Sequence, residues 1–485
     1  MRLTILRQGR VWALCFVMLL LGVMEARADI QIGDNLTVTG FFRQMFAVHT
    51  GNKNPNNVNQ EDNNWLNLSR TLFQTEWTYR PSRALKIFGK LRIIHDQTDM
   101  WDSNLDDYNA FPLSTTRYGT YLRPTDDDNF AAELWELYAD LSLGNLWLRL
   151  GKQQIAWGEM IGGRIMEIIN PLDFSWHLML EPEEFENIRV PLWSVRGMYN
   201  IEQLALPWLK DTYIEGFLNP GNIVPQINPE PGSPFNLKSP TPPIFDLHEK
   251  DRWGDLEYGF RLAGRIGQLF GTLNYLHLYT DGGYWETKGF IPPFYTEIEY
   301  PSTDVYGLTL NYSFAPPLDM TVTFEGTYTP DQPYYDAASA LPKVKEVGTW
   351  KHAIRFDRKT FVLPRPISAM NIQLQFSQAV VEDADDVKMT PAPLDRDINK
   401  IDTTSNTIAL IFRQDLWYNN IVASLKLIND LDGAYYIIPG FKYRYGNDWY
   451  FEIYGTALGG SDRRVGKLGY MYWADEIYAR ITYQF

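Results

Sequence analysis

The six histidines, His49, His95, His177, His248, His277 and His352, are the side chains whose type best suits acid–base or nucleophilic chemistry near neutral pH. Their spacing assembles no catalytic device. They fall on separate stretches, and there is no GxSxG elbow, HExxH, P-loop or glycine-rich phosphate cradle. A hydrolase built on a membrane barrel would need a histidine beside Ser or Asp near a rim. His95-Asp96 has that adjacency, but a bare pair is unspecific and reads first as polar rim. The expectation is no enzyme, no cofactor and no metal site.

Charged residues do recur in a pattern, alternating with apolar ones. In YGFRLAGRI (258–266), Tyr258, Phe260, Leu262, Gly264 and Ile266 make one face, and Gly259, Arg261, Ala263 and Arg265 the other. A strand separates these faces, whereas a helix would mix them. LKIFGKLRI (85–93) reads the same way apart from Phe88, and so does YGLTLNYSF (306–314). The same parity puts Arg92, Arg149, Arg355, Arg413, Lys442 and Arg444 on the wet face with Arg261 and Arg265. Arg43, Lys90, Arg196, Lys426 and Arg480 join them, as do Glu76, Glu136, Asp140, Glu257, Glu325 and Glu452. If the other face meets lipid, turning one of the basic residues outward at mid-membrane would cost about 2–4 kcal/mol. The chemistry of such a face is electrostatic. It lines a water-filled passage or forms a paired polar network that plugs one, and both readings stay open.

Charges patterned in this way need a closed sheet to hold them, and the composition agrees. Aromatics make up 15% of the chain, yet the mean hydropathy is −0.30. MRLTILRQGR, the apolar run after it and Ala26-Arg27-Ala28 read as a secretory signal peptide over residues 1–28. Those residues carry four arginines and one glutamate, a net +3, so the −15 of the whole chain becomes −18 for 29–485. That excess argues against nucleic acid as a partner. They also hold Cys15, the one cysteine. Beyond them no run of about 18 apolar residues exists to span a membrane as a helix.

Short turns after Arg80, Leu143, Ile266, Phe314 and Tyr445 alternate with long polar loops at 50–64, 96–132, 219–254, 280–304, 330–348, 381–405 and 457–471. Aromatics such as Trp77, Tyr79, Tyr312, Phe314, Tyr443 and Trp449 crowd the short turns, as an interfacial girdle would. The expected fold is all-β: a transmembrane antiparallel up-and-down β-barrel over 29–485 in the outer membrane of a Gram-negative cell. It has about 18 strands, with 16 open, because an even number is required.

The sequence ends on YARITYQF, where Phe485, Tyr483, Ile481 and Ala479 share a face. An alternating last strand with a final aromatic resembles the signal read by the barrel-assembly machinery, with Phe485 and Tyr483 as its residues. LTVTGFFRQMF (36–46) is the expected first strand and must pair with the last, since an open edge is not tolerated in lipid. Acidic clusters at 96–128 and 382–402 read as solvated loop charge or as carboxylates bridged by divalent cations to lipopolysaccharide phosphates. The oligomeric state, monomer or trimer, stays open.

One stretch breaks the alternation. Residues 157–193 contain Gly158, Gly162, Gly163 and Pro171 with too many apolar residues for a hydrated loop. Ile161, Ile165, Met166, Ile168 and Ile169 fit a short amphipathic helix. A partly helical insert near 157–190 is expected to fold into or over the barrel and narrow it. Glu159, Arg164, Glu167 and Asp173 are its candidate constriction residues. LRLGKQQIAWGE, INPLDF and IRVPLW within 146–200 resemble an uncharacterised family of large proteobacterial outer-membrane barrels. LRLGKQ is also loosely similar to porins and alginate-export barrels. The resemblance implies traffic of hydrophobic compounds or lipids, alongside a periplasmic carrier and an inner-membrane pump. The expected function is therefore a porin-like channel or transporter for small solutes. The alternative is a non-conducting scaffold or adhesin barrel.

Overall fold

The computed structural model describes residues 30–51, 65–101, 129–161, 163–174, 177, 185–201, 208–220, 234, 256–288, 295–362, 368–390, 399–431, 433–460, 471 and 473–485. The expected signal peptide and the loop acids Asp102, Asp106, Asp107, Asp126, Asp127, Asp128, Asp395 and Asp397 lie outside these residues. Eighteen antiparallel strands close into one barrel. The first nine are Leu36–His49, Leu66–Tyr79, Leu85–Asp96, Phe130–Leu143, Leu146–Gln153, Leu192–Asn200, Leu209–Asn219, Glu257–Ile266 and Leu269–Tyr279. The other nine are Ser302–Phe314, Met320–Asp336, Val344–Thr360, Met370–Val381, Thr404–Leu416, Ile421–Asp430, Ala434–Tyr445, Trp449–Gly460 and Glu476–Gln484.

Sequence neighbours pair all the way round, and the last strand closes on the first from Phe41↔Gln484 to His49↔Glu476. Ile30–Ile32 pairs with the first strand, and Val387–Lys388 adds to the upper end of Met320–Asp336. A separate hairpin, Tyr284–Lys288 with Tyr295–Glu299, stands in a connecting loop.

The five expected tight turns are present at one rim. Gly144, Gly267 and Gly446 take the left-handed conformation there (φ +60, +58 and +64), which glycine adopts without steric cost. The opposite rim carries the longer connections, with one correction. Residues 330–348 are not a loop, because the strands run to Asp336 and resume at Val344. A register shift between Thr329 and Gln332 lets the ladder absorb Pro330, whose missing N–H would otherwise break it.

The outer surface is apolar. Phe260, Leu262, Leu273, Tyr306, Leu374, Ile453, Ile477 and Ile481 are all exposed large hydrophobics, a belt that a protein surrounded by water would bury. Rings border it at both levels. Tyr275–Tyr306 (5.5 Å) and Tyr328–Trp350 (4.2 Å) lie towards the long loops, while Tyr312–Phe314 (4.6 Å) and Trp449–Tyr483 (5.0 Å) lie by the tight turns. This is the layout of a lipid-facing barrel.

Phe485 seats the closing seam. Its backbone exchanges two hydrogen bonds with Gly40 (3.0 and 2.9 Å), and its ring stacks on Phe73 at 6.1 Å. The ring occupies the space a side chain at residue 40 would need, because a Cβ there would lie 2.5 Å from Gln74 O and 2.6 Å from Phe485 Cζ. Gly40→Val should therefore destabilise the closed barrel by about 1–3 kcal/mol, the usual cost of overpacking. A urea titration of the gel-mobility difference between heated and unheated protein should show a lower unfolding midpoint. An unchanged midpoint would contradict this account of the seam.

Candidate functional site

The inner wall is built from the alternate residues of the same strands, and cross-strand register sets its charges against one another. Arg70 meets Asp96 (2.9 Å) and Arg92 meets Glu133 (2.7 Å), all four fully buried. Lys90 lies between Glu76 (3.0 Å) and Glu136 (3.5 Å). Arg149 forks onto Asp140 (2.6 and 3.0 Å). Glu215 accepts from Arg196 (2.7 Å) and is 3.3 Å from Arg261. Glu452 takes Arg480 and Lys442 (3.3 Å). Nearer the tight-turn rim the pairs are wetter: Arg265 with Asp211 and Arg413 with Asp415 (3.7 Å) are exposed pairs, while Arg355 reaches Asp357 at 2.8 Å. Arg444 bonds Asn420 (3.3 Å), and Glu257 accepts from Asn219 (2.8 Å) and the Tyr279 N–H (3.1 Å). Paired charges of this kind hold the wall rigid, and only those nearer the rim present their charge to water.

Residues 154–191 join the fifth and sixth strands, and the described ones among them turn into the barrel. Ile155, Trp157, Met166 and Ile169 pack on Phe217, Leu276, Leu278 and Val305, inward residues of three strands. Met166 lies directly over Gly307, where a Cβ would be 2.2 Å from its sulfur. In the other direction Leu172 and Ile188, with Phe174 and Phe185, join a cluster that includes Met45, Leu68, Leu72, Ile94, Tyr436 and Tyr478. The segment is thus gripped from both sides of the lumen. Each fully buried aliphatic side chain of this kind contributes at most about 1.5–3 kcal/mol.

Its tip reaches deep. Ile161 exchanges two bonds with the Gln375 amide (2.9 and 2.7 Å). The Glu159 N–H and the Met166 N–H (3.4 Å) donate to Glu325, and Arg355 donates to the Glu159 carbonyl. Asn311 donates to the Glu159 carboxylate (3.2 Å). Asn311, Glu325, Arg355 and Gln375 all lie in the halves of their strands nearer the tight turns.

Among the described residues, 161 and 163–169 are irregular and do not form the expected amphipathic helix. The helical part of the described insert is one turn, Phe185–Ile188. The reason is tertiary: the backbone groups of Glu159, Ile161 and Met166 bond side chains of the wall in place of helical partners. Gly158 adds a close approach, since a Cβ there would lie 2.5 Å from the Glu167 nitrogen.

The four residues singled out in the insert act mainly as its internal ties. Arg164 bonds Asp281 (3.0 Å), the Glu167 carbonyl (2.6 Å) and the Asn170 carbonyl. Glu167 pairs with Arg189 (2.8 Å) and accepts from the Gly158 N–H (3.2 Å). Burial pushes the Glu167 carboxyl above the usual range, against the opposing pull of Arg189. Asp173 is buried and its N–H bonds the Ile188 carbonyl (2.7 Å). Glu159 alone of the four is exposed, at the tip.

The His95-Asp96 adjacency is split between faces. Asp96 turns in to Arg70 and Thr98, whereas His95 meets Gln97 (3.1 Å) and the ring of Phe130. Alternation missed two other histidines. His277 bonds Asp304 (2.8 Å), which also accepts from Tyr275 (2.9 Å), within the upper aromatic band of the outer face. His177 reaches Glu476 (2.9 Å) from the insert and meets the Tyr478 ring edge-on. Both contacts join residues remote in sequence, so no local pattern encodes them.

A sequence model of the family described as "Protein of unknown function (DUF1302)" matches residues 13–485. The chain belongs to that family. No curated protein matches it by sequence. Among solved structures it is similar to OccAB3 of Acinetobacter baumannii, at TM-score 0.50 and 10% identity, with 94% of this chain and 100% of that one covered. OccK8 (OprE) of Pseudomonas aeruginosa gives 0.48 and 9%, covering 94% and 98%. The outer membrane channel DcaP of A. baumannii gives 0.40 and 11%, covering 95% and 100%. At this identity the likeness is one of fold: an 18-strand barrel resembling outer-membrane porins.

Arg164→Ala should release the insert without opening the barrel. It removes three charge-assisted bonds, each of a kind that contributes about 1.5–3 kcal/mol. Hydrogen exchange over 155–170 should accelerate at least ~10-fold while strand amides keep their protection. Unchanged protection would show that Arg164 is no tie.

Proposed function

We propose that the protein is a porin-type channel of the outer membrane that moves small solutes, with residues 154–191 setting the width and chemistry of its passage. The observation that supports this most is the contrast of faces: an apolar ring-bordered exterior around an interior lined by Arg, Lys, Glu and Asp, into which a long connection folds. A scaffold or adhesin would need the closed apolar exterior but not an insert bonded to the far wall at Gln375 and Glu325.

The interior is two-sided in character. The exposed pair Arg413–Asp415 suits hydrated ions, whereas the half-buried apolar residues of the insert, Ile161 and Ile168, suit cargo with apolar surface. Hydrophobic compounds or lipids therefore belong to the proposed cargo. A periplasmic carrier and an inner-membrane pump are the proposed companions, and the barrel-assembly machinery and lipopolysaccharide the proposed contacts at the membrane. We propose no catalytic role.

Refolded residues 29–485 in planar bilayers, compared with a variant lacking 160–186, test the reading. Discrete conductance steps are expected in the intact chain and larger ones in the deletion. Conductance in the deletion alone would make the insert a plug. Silence in both, with the barrel shown to be folded, would overturn the channel reading.

A further inference from the structure

Lys426 lies mid-strand in Ile421–Asp430, opposite Ile411 on one neighbouring strand and Ile438 on the other. It shares its face with Ile428, two residues on, which belongs to the interior cluster gripping the insert. The residue is 9% exposed. Among the described residues its ammonium has no hydrogen-bond or ion-pair partner, and no opposite charge acts on it. Its inward neighbours Ala409, Ile411, Ile428, Tyr436 and Ile438 include no carboxylate. One step along the ladder, Arg413 opposite Ser424 is itself basic and lies beside Asp415.

This departs from most of the inward cations, and the others at least have a hydrogen-bond partner, as Arg444 has in Asn420. Arg70, Arg92, Lys90, Arg149, Lys442 and Arg480 each face a carboxylate. A buried cation without a counterion is strongly destabilising, because its lost hydration is repaid by nothing. An anion entering the lumen would supply the missing charge. A small hydrated anion fits poorly here, since the aliphatic and aromatic surroundings would strip its water and return no hydrogen bonds. A doubly charged head finds one cation where it needs two. An anion that brings apolar surface of its own meets both demands.

We propose that Lys426 is the head-group subsite for an amphipathic monoanion, a carboxylate bearing an apolar chain. This deepens the channel reading and rests on it, by naming the chemical class of one cargo.

The probe is decanoate below its micelle concentration, with decanol and acetate as controls. Residues 29–485 in nanodiscs are titrated calorimetrically, with empty nanodiscs subtracted, and current block is read separately in planar bilayers. Decanoate should bind the intact chain and occlude its current, and neither control should match it. Lys426→Met should weaken binding at least ~10-fold, whereas Lys426→Arg, which keeps the charge, should retain most of it. Heat-dependent gel mobility checks that both variants are folded. Equal binding by Lys426→Met, or decanol binding as well as decanoate, would overturn the proposal. Binding through Lys426 in a barrel that never conducts would leave the subsite standing and sink the channel reading. Conduction with binding indifferent to residue 426 would do the reverse.

Discussion

A backbone N–H or C=O facing hydrocarbon has no water to bond, and each one left unpaired costs several kcal/mol. A sheet in a membrane can meet that constraint only by having no edge. Here the pairing of Leu36–His49 with Glu476–Gln484 removes the last edge, and Phe485 and Gly40 extend that seam beyond the final residue pair of the ladder. Closure makes the two faces of every strand inequivalent. Lipid takes the apolar face, so Arg, Lys, Glu and Asp on the alternate positions are driven inwards, where register pairs most of them.

An interior assembled in this way is a container with charged walls, and what passes depends on what fills it. The connection 154–191 does so by a mixed strategy. Apolar residues along it, Met166 over Gly307 and Ile188 in the cluster that includes Ile94, fix it to opposite parts of the wall. Ahead of both, the backbone around Glu159 and Ile161 is irregular, and wall side chains satisfy its polar groups. Exchanging helical bonds for wall bonds ties the shape of the passage to the barrel rather than to the insert itself.

Much of this was legible in the sequence, because a membrane strand must alternate. YGFRLAGRI and YGLTLNYSF gave their faces directly, and glycine marked the turns at 144, 267 and 446. The turn after Leu416 carried no such mark, since Trp417, Tyr418 and Asn419 take left-handed conformations without a glycine (φ +42, +53 and +65). Pro330 and Pro333 imitated a loop where a register shift carries the strand on. The insert was recognisable as an interruption, but its helix was not real. Spacing of Ile161, Ile165 and Ile168 reports apolar demand, and partners supplied by Glu325 and Gln375, remote in sequence, settled the backbone instead. The unpartnered state of Lys426 was equally hidden, since parity puts it inside with the other cations and only the register shows that no acid faces it.

The central claim is that the tip of the insert sits in the lumen, well towards the tight-turn rim. Residues 29–485 contain no cysteine, so spin labels can be placed cleanly at Gly163→Cys and Ser313→Cys. Pulsed electron-spin distance measurement in lipid should give one short, narrow distribution, because the neighbouring Glu159 bonds Asn311 on the strand that carries Ser313. A broad distribution, or one centred at distances that place residue 163 beyond the long-loop rim, would contradict the account.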